Sequence, residues 1–142
     1  MDRLTTKSQE ALAASQERAD RAGHPEIEPE HLLAELLEQR DGAVRPVLEA
    51  AKIPIERVQT LLEARFKQLP RVTGSKQVAI SSTLRRTVEN AEAEAERLQD
   101  QYVSTEHLLL AMLDPAVPSE AERILRDAGA TREKIYNALV SV

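Results

Sequence analysis

The sequence of 142 residues contains no cysteine and no tryptophan, and aromatic residues make up only 2% of it. The lack of cysteine excludes disulfide bonds, a thiol nucleophile and zinc sites built on thiolates. With one phenylalanine and two tyrosines, the interior has to be built from leucine, isoleucine, valine and alanine. Glycine is also scarce, at 4 residues. This composition is typical of short helices packed closely on one another.

Long apolar runs and clusters of one charge are missing as well. No stretch of about 18 apolar residues occurs, so the sequence predicts no membrane span. The amino-terminal segment MDRLTTKSQ lacks the apolar centre of a secretion signal. The net charge of −5 comes from interspersed acidic and basic residues, without the basic stripe that nucleic-acid binding requires. We therefore expect a cytoplasmic protein that binds neither membranes nor nucleic acid.

What the sequence does contain is an internal repeat. At an offset of 76 positions, Glu30–Leu33 (EHLL) coincides with Glu106–Leu109, which has the same four residues. After a slip of one residue, Val47–Leu48 coincides with Ile124–Leu125. Similarity at a fixed offset indicates two copies of one structural unit.

The repeat predicts the domain organisation. We assign repeat one to residues 4–69, a linker to 70–79 and repeat two to 80–142. Each repeat has the apolar spacing of four short helices. A unit of this size is marginally stable alone, so the two repeats are expected to pack together as a single domain over residues 1–142. The predicted fold class is all-α, with eight short helices arranged as two four-helix repeats about a pseudo-twofold axis.

Several residues mark the ends of these helices. Thr5 and Ser81 are expected to cap the first helix of each repeat, because a hydroxyl can accept a hydrogen bond from an amide of the first turn. Pro29 suits the first position of the second helix, where no amide donor is needed. Gly23 and Gly129 are expected to end helices, because glycine adopts a left-handed backbone without a steric penalty.

The repeated Glu-His pair has an ordinary structural explanation. Glu30 and Glu106 fall in the first turn of a helix, where the helix dipole stabilises a carboxylate by about 0.3–1 kcal/mol. His31 and His107 can bond to nearby backbone, and no further ligands at suitable spacing suggest a metal site. No phosphate-binding loop or nucleophile elbow is present. We therefore predict no catalytic residue, no metal and no cofactor, and interpret the chain as a binding module.

The motifs also resemble a known family. The segments LTTKSQEALAASQERADRAGHPEIEPEHLLAELL, YVSTEHLLLAML and ILRDAGA are similar to the amino-terminal domain of the ring-forming Clp chaperones of the AAA+ class. The DRLT start and the LPRVTG linker favour the ClpB disaggregase branch. The resemblance covers essentially the whole chain and implies eight short helices in two repeats.

The resemblance further implies a function. Such domains are tethered to a homohexameric ATPase, have no ATPase activity of their own, and catch unfolded or aggregated polypeptide during the response to heat and other stress. The DnaK system acts upstream. ATP and Mg²⁺ belong to ATPase modules that have no counterpart in this sequence, which lacks a Walker motif.

The ClpB resemblance points to particular residues. By analogy, Thr5, Asp100 and Glu106 take part in handling substrate. Because unfolded chains expose apolar segments, their receptor needs exposed apolar surface, and the expected candidates are Tyr102, Val103 and Leu110. Four glutamates are expected on the outer face of the fifth helix, where they would make a neighbouring groove less apolar: Glu89, Glu92, Glu94 and Glu96.

A rival interpretation comes from the protease-linked ClpC and ClpA branches. In ClpC, glutamates equivalent to Glu30 and Glu106 bind phosphoarginine tags at two symmetric sites, or the domain docks an adaptor. A carboxylate can accept guanidinium N–H bonds in pairs. Against this alternative, Glu28-Pro29 precedes Glu30 where that branch has glycine and threonine. A purely structural helical spacer is the third possibility.

Overall fold

The computed structural model describes residues 3–72 and 78–141, so the central linker residues 73–77 lie outside the described part. The described residues form eight helices, as predicted, together with two short strands that were not predicted. The helices are α1 Thr6–Ala22, α2 Pro29–Glu38, α3 Val44–Ala50, α4 Ile55–Gln68, α5 Ser82–Arg97, α6 Thr105–Met112, α7 Glu120–Asp127 and α8 Arg132–Ser141. The strands are β1 Glu26–Ile27 and β2 Ala79–Ile80.

The helices pack in pairs that obey the predicted pseudo-twofold relation. Helix α1 packs on α2 as α5 packs on α6, and α3 contacts α8 as α7 contacts α4. Helices α2 and α6 meet near the axis, where their leucines form the centre of one aliphatic core. Because α3 packs against α8 and α4 packs against α7, each repeat buries part of its apolar surface against the other repeat.

The starts of the helices follow the sequence closely. The Thr5 hydroxyl accepts from the Ser8 amide at 3.2 Å, and the Ser81 hydroxyl accepts from the Leu84 amide at 3.0 Å. Both predicted caps are therefore confirmed. Pro29 is the first residue of α2, as expected. The Thr5 and Ser81 hydroxyls thus satisfy amide donors in the first turn that the helix itself leaves unpaired.

Four helices end in the same way, with one residue in the left-handed region. Gly23 (φ 73°) follows α1 and its equivalent Gln99 (φ 58°) follows α5; Lys52 (φ 62°) follows α3 and its equivalent Gly129 (φ 103°) follows α7. In each case the next amide donates to the carbonyl five residues back at 2.9 Å. This is the pattern of a Schellman motif. The sequence predicted only the two glycine ends.

Two short backbone bridges flank the α1–α5 pair. Strands β1 and β2 pair in parallel, with Glu26 opposite Ala79 and Ile27 opposite Ile80. At the other end, Leu4 bridges to Val103, at positions equivalent by the repeat offset to Ile80 and Ile27. The last residue of the predicted linker, Ala79, is therefore part of a strand.

One predicted surface glutamate is buried. Glu94 of α5 is 1% exposed, and its carboxylate accepts from Arg132 of α8 at 2.6 Å and from Arg97 at 3.0 Å. The expectation that it lies on the outer face of α5 is wrong, because the ion pair with α8 draws it inward. Glu89 and Glu96 are exposed and Glu92 is half-buried.

Candidate functional site

The amino-terminal end of α1 docks onto the loop before α6. The Thr5 amide donates to the Val103 carbonyl at 3.1 Å, and the Ser8 hydroxyl donates to the same oxygen at 3.0 Å. The Arg3 guanidinium donates to the Asp100 carbonyl at 2.8 Å. The structure thus brings together Thr5 and the loop that carries Asp100, which are far apart in the sequence.

Asp100 is held by the histidine of the repeated motif. Nδ1 of His107 accepts from the Ser104 amide at 2.8 Å, so its Nε2 carries the proton and donates to Asp100 Oδ2 at 2.8 Å. Asp100 therefore has a structural role in orienting His107, while its side chain stays 51% exposed. Glu106, the residue before His107, is half-buried and accepts from the Thr105 hydroxyl at 3.1 Å. In residues 3–72 and 78–141, no Lys or Arg lies within 4 Å of the Glu106 carboxylate.

The apolar surface expected at this end is much smaller than the sequence suggested. Tyr102 is 59% exposed, in agreement with the expectation. Val103 and Leu110 are fully buried, so their predicted exposure is wrong. Val103 is held inward by its bridge to Leu4, and Leu110 belongs to a helix that is surrounded by core on nearly every side.

The equivalent glutamate of repeat one has a different environment. Glu30 is 1% exposed, and its Oε2 accepts from Arg65 Nε at 2.8 Å. Arg65 also lies 4.0 Å from Glu120 of α7, which links the ion pair to the second repeat. The two glutamates that the rival interpretation treats as symmetric are therefore not equivalent, because the chain's own arginine occupies one of them.

A pair of histidines replaces the Asp100–His107 pair in repeat one. His31 Nδ1 accepts from the Glu28 amide at 2.9 Å, so its Nε2 donates to His24 Nδ1 at 2.8 Å. The His31 ring stacks on Phe66 with centroids 5.1 Å apart. Burial, together with the neighbouring His24, lowers the pKa of His31 to about 4, and burial also lowers the pKa of His24. Both rings are neutral near pH 7.

A mostly apolar groove lies between α1 and α5, and β1 and β2 each contribute one side chain to it. It has a volume of about 210 Å³, and Ile80, on its floor, is 46% exposed. Six of the lining side chains are aliphatic and two are polar: Leu12, Ala13, Ile27, Ile80, Leu84 and Val88, with Gln16 and Arg85. We call this the α1–α5 groove.

The positions equivalent to the groove at the other end of the α1–α5 pair differ in polarity. At the offset of 76, Leu84 corresponds to Ser8, Ala13 to Glu89, and Gln16 to Glu92. Two of these three differences place a polar residue where the groove has an aliphatic one, so the equivalent positions at the end beside Val103 are more polar. Sequence reasoning missed the groove because four separate elements build it. One signal in the sequence could have indicated it: some equivalent positions are apolar in one repeat and polar in the other.

Within the described residues, no group of three or more His, Asp or Glu side chains is arranged to hold a metal ion. Among the helices of residues 3–72 and 78–141, none is both long and apolar enough to cross a bilayer. A second cavity of about 200 Å³, near Arg18 and Phe66, is lined by a mixture of charged and apolar side chains.

Comparison with known proteins assigns this architecture to a family. The family model described as the Clp repeat (R) N-terminal domain matches residues 3–128. The chain belongs to this family. The resemblance noted in the sequence is therefore confirmed, and so is the predicted all-α fold.

Relatives of this Clp N-domain include chaperone proteins ClpB. The protein from Rhodopirellula baltica is 33% identical over 142 residues, and the protein from Propionibacterium freudenreichii subsp. shermanii is 38% identical over 141 residues. The alignments cover 100% and 96% of this chain. The chain spans 16% of the length of each of these curated relatives.

Solved structures of other Clp N-domains share the fold. The N-domain of ClpV from Vibrio cholerae superposes with a TM-score of 0.83 at 22% identity, covering 99% of this chain and 84% of that one. The Hsp104 N-terminal domain from Candida albicans gives 0.82 at 17% identity, covering 96% and 89%. A complex of a ClpV N-domain with a VipB peptide gives 0.79 at 24% identity, covering 98% and 87%.

Proposed function

We propose that this Clp N-domain recruits unfolded or aggregated polypeptide for an ATP-dependent disaggregase of the ClpB type. The α1–α5 groove is the observation that carries the proposal, because unfolded chains present apolar segments that folded proteins bury. The ClpB relatives support the type of chaperone, and the ClpV complex with a VipB peptide supports peptide binding by this fold.

The rest of the proposed machine lies outside this chain. We propose that ATPase modules in the same protein form a homohexameric ring that uses ATP and Mg²⁺. The N-domain would pass polypeptide to this ring in the cytoplasm, downstream of the DnaK system. We assign no catalytic residue and no cofactor to the N-domain itself.

The proposed binding surface combines the groove with the acidic end of the α1–α5 pair. The groove would hold the apolar segment of the client. Tyr102, Asp100 and Glu106, with Thr5 behind them, would contact a neighbouring part of the same flexible chain. Val103 and Leu110 act only as core residues in this proposal, because both are fully buried.

The size of the groove predicts weak binding. A volume of about 210 Å³ accommodates two or three aliphatic side chains. Each contributes about 1.5–3 kcal/mol on burial, and ordering a flexible segment offsets much of this gain. We therefore expect a Kd in the micromolar range or weaker. Weak binding suits a receptor that has to release its client to a ring.

Fluorescence anisotropy with labelled casein, a permanently unfolded protein, tests this proposal. Ile80→Ser removes an exposed side chain from the groove floor and is expected to weaken binding about fivefold. Ala13→Glu places a carboxylate on the groove wall and is expected to weaken binding more. Val140→Ser is the matched control, because Val140 is 67% exposed on α8 and away from the groove. Equal affinities for all three variants, each folded by circular dichroism, would contradict the proposal.

One observation keeps a second candidate function in view. Glu106 is half-buried, and in the described part of the chain no basic side chain pairs with it. It could accept the guanidinium of a phosphoarginine tag or an adaptor, as in the ClpC and ClpA alternative. Free phosphoarginine titrated into labelled protein distinguishes the two functions. Saturable shifts at Glu106 would support the alternative, whereas their absence supports the ClpB-type function.

A further inference from the structure

The outer edge of strand β2, opposite β1, pairs with no other strand in the described residues, and we call it the open edge. The Ser81 amide donates to the Ile27 carbonyl at 3.1 Å. This bond shows which residues of the β2 segment direct their backbone groups toward β1. Alternate residues of a strand direct their amide and carbonyl groups to opposite sides. Ala79 and Ser81 therefore face β1, and Ile80 presents its amide and carbonyl on the far side. Within residues 3–72 and 78–141, neither group of Ile80 has a hydrogen-bond partner.

This open edge adjoins the apolar groove. Ile27 and Ile80 are register partners in a parallel pair, so their side chains project from the same face of the two-stranded sheet. Both line the α1–α5 groove. A third strand laid beside β2 would place every second side chain on that same face. One short segment could therefore pair with the Ile80 backbone and fill the groove at once.

The rim of the groove adds a charge preference. Arg85 lines the groove from the first turn of α5 and is exposed. In the part of the chain that the structure describes, no carboxylate lies within 4 Å of its guanidinium. The ligand best matched to this rim carries an acidic residue next to its apolar positions.

We propose that the groove binds its ligand by strand addition. The occupant is an extended segment of unfolded polypeptide with apolar residues at alternate positions and an acidic residue at one end, hydrogen-bonded to Ile80 on the edge of β2. Main-chain bonds give such a mode affinity for many sequences, and alternate side-chain pockets give it a preference. The inference rests on the proposed function and specifies how the recruited segment is held.

Two labelled peptides of identical side chains provide the test. Both have the sequence Asp-Val-Ser-Val-Ser-Val, and each carries N-methyl groups on alternate residues, in opposite phase. N-methylation removes the N–H donor. The peptide methylated on the residues whose amides face β2 is therefore expected to bind at least tenfold more weakly than the unmethylated peptide, and the other methylated peptide should lose much less affinity. The unmethylated peptide should also slow hydrogen exchange of the Ile80 amide. Equal affinities for the two phases would overturn the proposal.

The charge preference has its own readout. An otherwise identical peptide that starts with Lys is expected to bind about fivefold more weakly than the Asp peptide. Arg85→Glu should reverse the order, and Arg86→Glu, a neighbour outside the groove, should preserve it. If no short peptide binds while casein binding remains sensitive to Ile80→Ser, strand addition is wrong and the recruiting function stands. If casein binding ignores Ile80→Ser as well, the proposed function fails too.

Discussion

Equivalent residues of the two repeats have diverged in environment, and the motif glutamates are the clearest case. Glu30 is enclosed and paired with Arg65, whereas Glu106 is half-buried at the loop that carries Asp100 and Tyr102. The sequence predicted the helix-terminal position of both glutamates. It could not predict that an arginine 35 residues away would reach only one of them, because this depends on how α4 crosses α2.

The Glu30–Arg65 pair is expected to matter for stability. Arg65→Ala leaves a buried carboxylate without a partner, which costs about 3–5 kcal/mol. Urea denaturation measures the loss, with the exposed Arg57→Ala on the same helix as the control. The double variant Glu30→Gln/Arg65→Met is expected to recover most of it, because no charge is then left unpaired. A loss for Arg65→Ala no larger than for Arg57→Ala would show that the pair contributes little.

The buried histidine pair makes stability depend on pH. The pKa of His31 falls from an ordinary 6.5 to about 4 on folding, so the unfolded chain binds a proton that the folded protein rejects. The free energy of unfolding is therefore highest above pH 6.5 and is expected to fall by about 3 kcal/mol as the pH approaches 4. An imidazolium at His31 would also face two further cations, Arg18 and Arg65.

His24→Asp separates this effect from the titration of carboxylates elsewhere. A carboxylate at position 24 reproduces the arrangement of Asp100 and His107, and it favours the charged form of His31. NMR titration of the His31 ring should show a higher pKa in the variant. Urea midpoints from pH 7 to pH 4 should decline less steeply than in the parent protein, and an unchanged slope would contradict the assignment.

At the scale of single elements, the capping residues correctly predicted where α1, α2 and α5 begin and where α1 and α7 end. The two-residue strands were missed because so short a segment has no periodicity. Gln99 and Lys52 were missed as helix ends because neither is the glycine that marks such an end. Their backbone shape is imposed by the surrounding packing, and only the repeat comparison with Gly23 and Gly129 could have suggested it.

These helix ends offer a stability test at the same scale. Gln99→Gly removes the steric cost of a left-handed backbone at a residue with a side chain. Glycine also increases the conformational entropy of the unfolded chain, which offsets part of this gain, so the expected net stabilisation is about 0.5–1 kcal/mol. Gly23→Ala is expected to destabilise it by about 1 kcal/mol. An added Cβ there lies 3.5 Å from the nearest atom, so backbone strain, not crowding, is the cause. Gln101→Gly, in the same loop without a positive φ, is the control in thermal melts. Stabilisation by Gln101→Gly to the same extent would refute the explanation.

At the scale of the whole molecule, duplication explains both the fold and its asymmetry. The sequence predicted two repeats of four helices, and the structure arranges them as predicted. It did not predict the site, because the groove draws side chains from α1, β1, β2 and α5. Its apolar character depends on small differences between equivalent positions, such as Leu84 against Ser8.

The interlocked packing predicts that neither repeat folds alone. Helix α3 rests on α8 and α4 on α7, so separate fragments 1–72 and 73–142 would expose half of a shared core. Circular dichroism is expected to show little helix in either fragment, and mixing them at high concentration should restore it. A cooperative thermal transition in one isolated fragment would show that the repeats are independent units.

The central claim is that unfolded polypeptide binds in the α1–α5 groove, and amide chemical shifts measure this most directly. We expect titration of unlabelled casein into isotope-labelled protein to move the amides of Ala13, Ile80 and Arg85 first and furthest, with smaller changes near Tyr102. Shifts confined to surfaces outside the groove, with those three amides unmoved at saturation, would contradict the account.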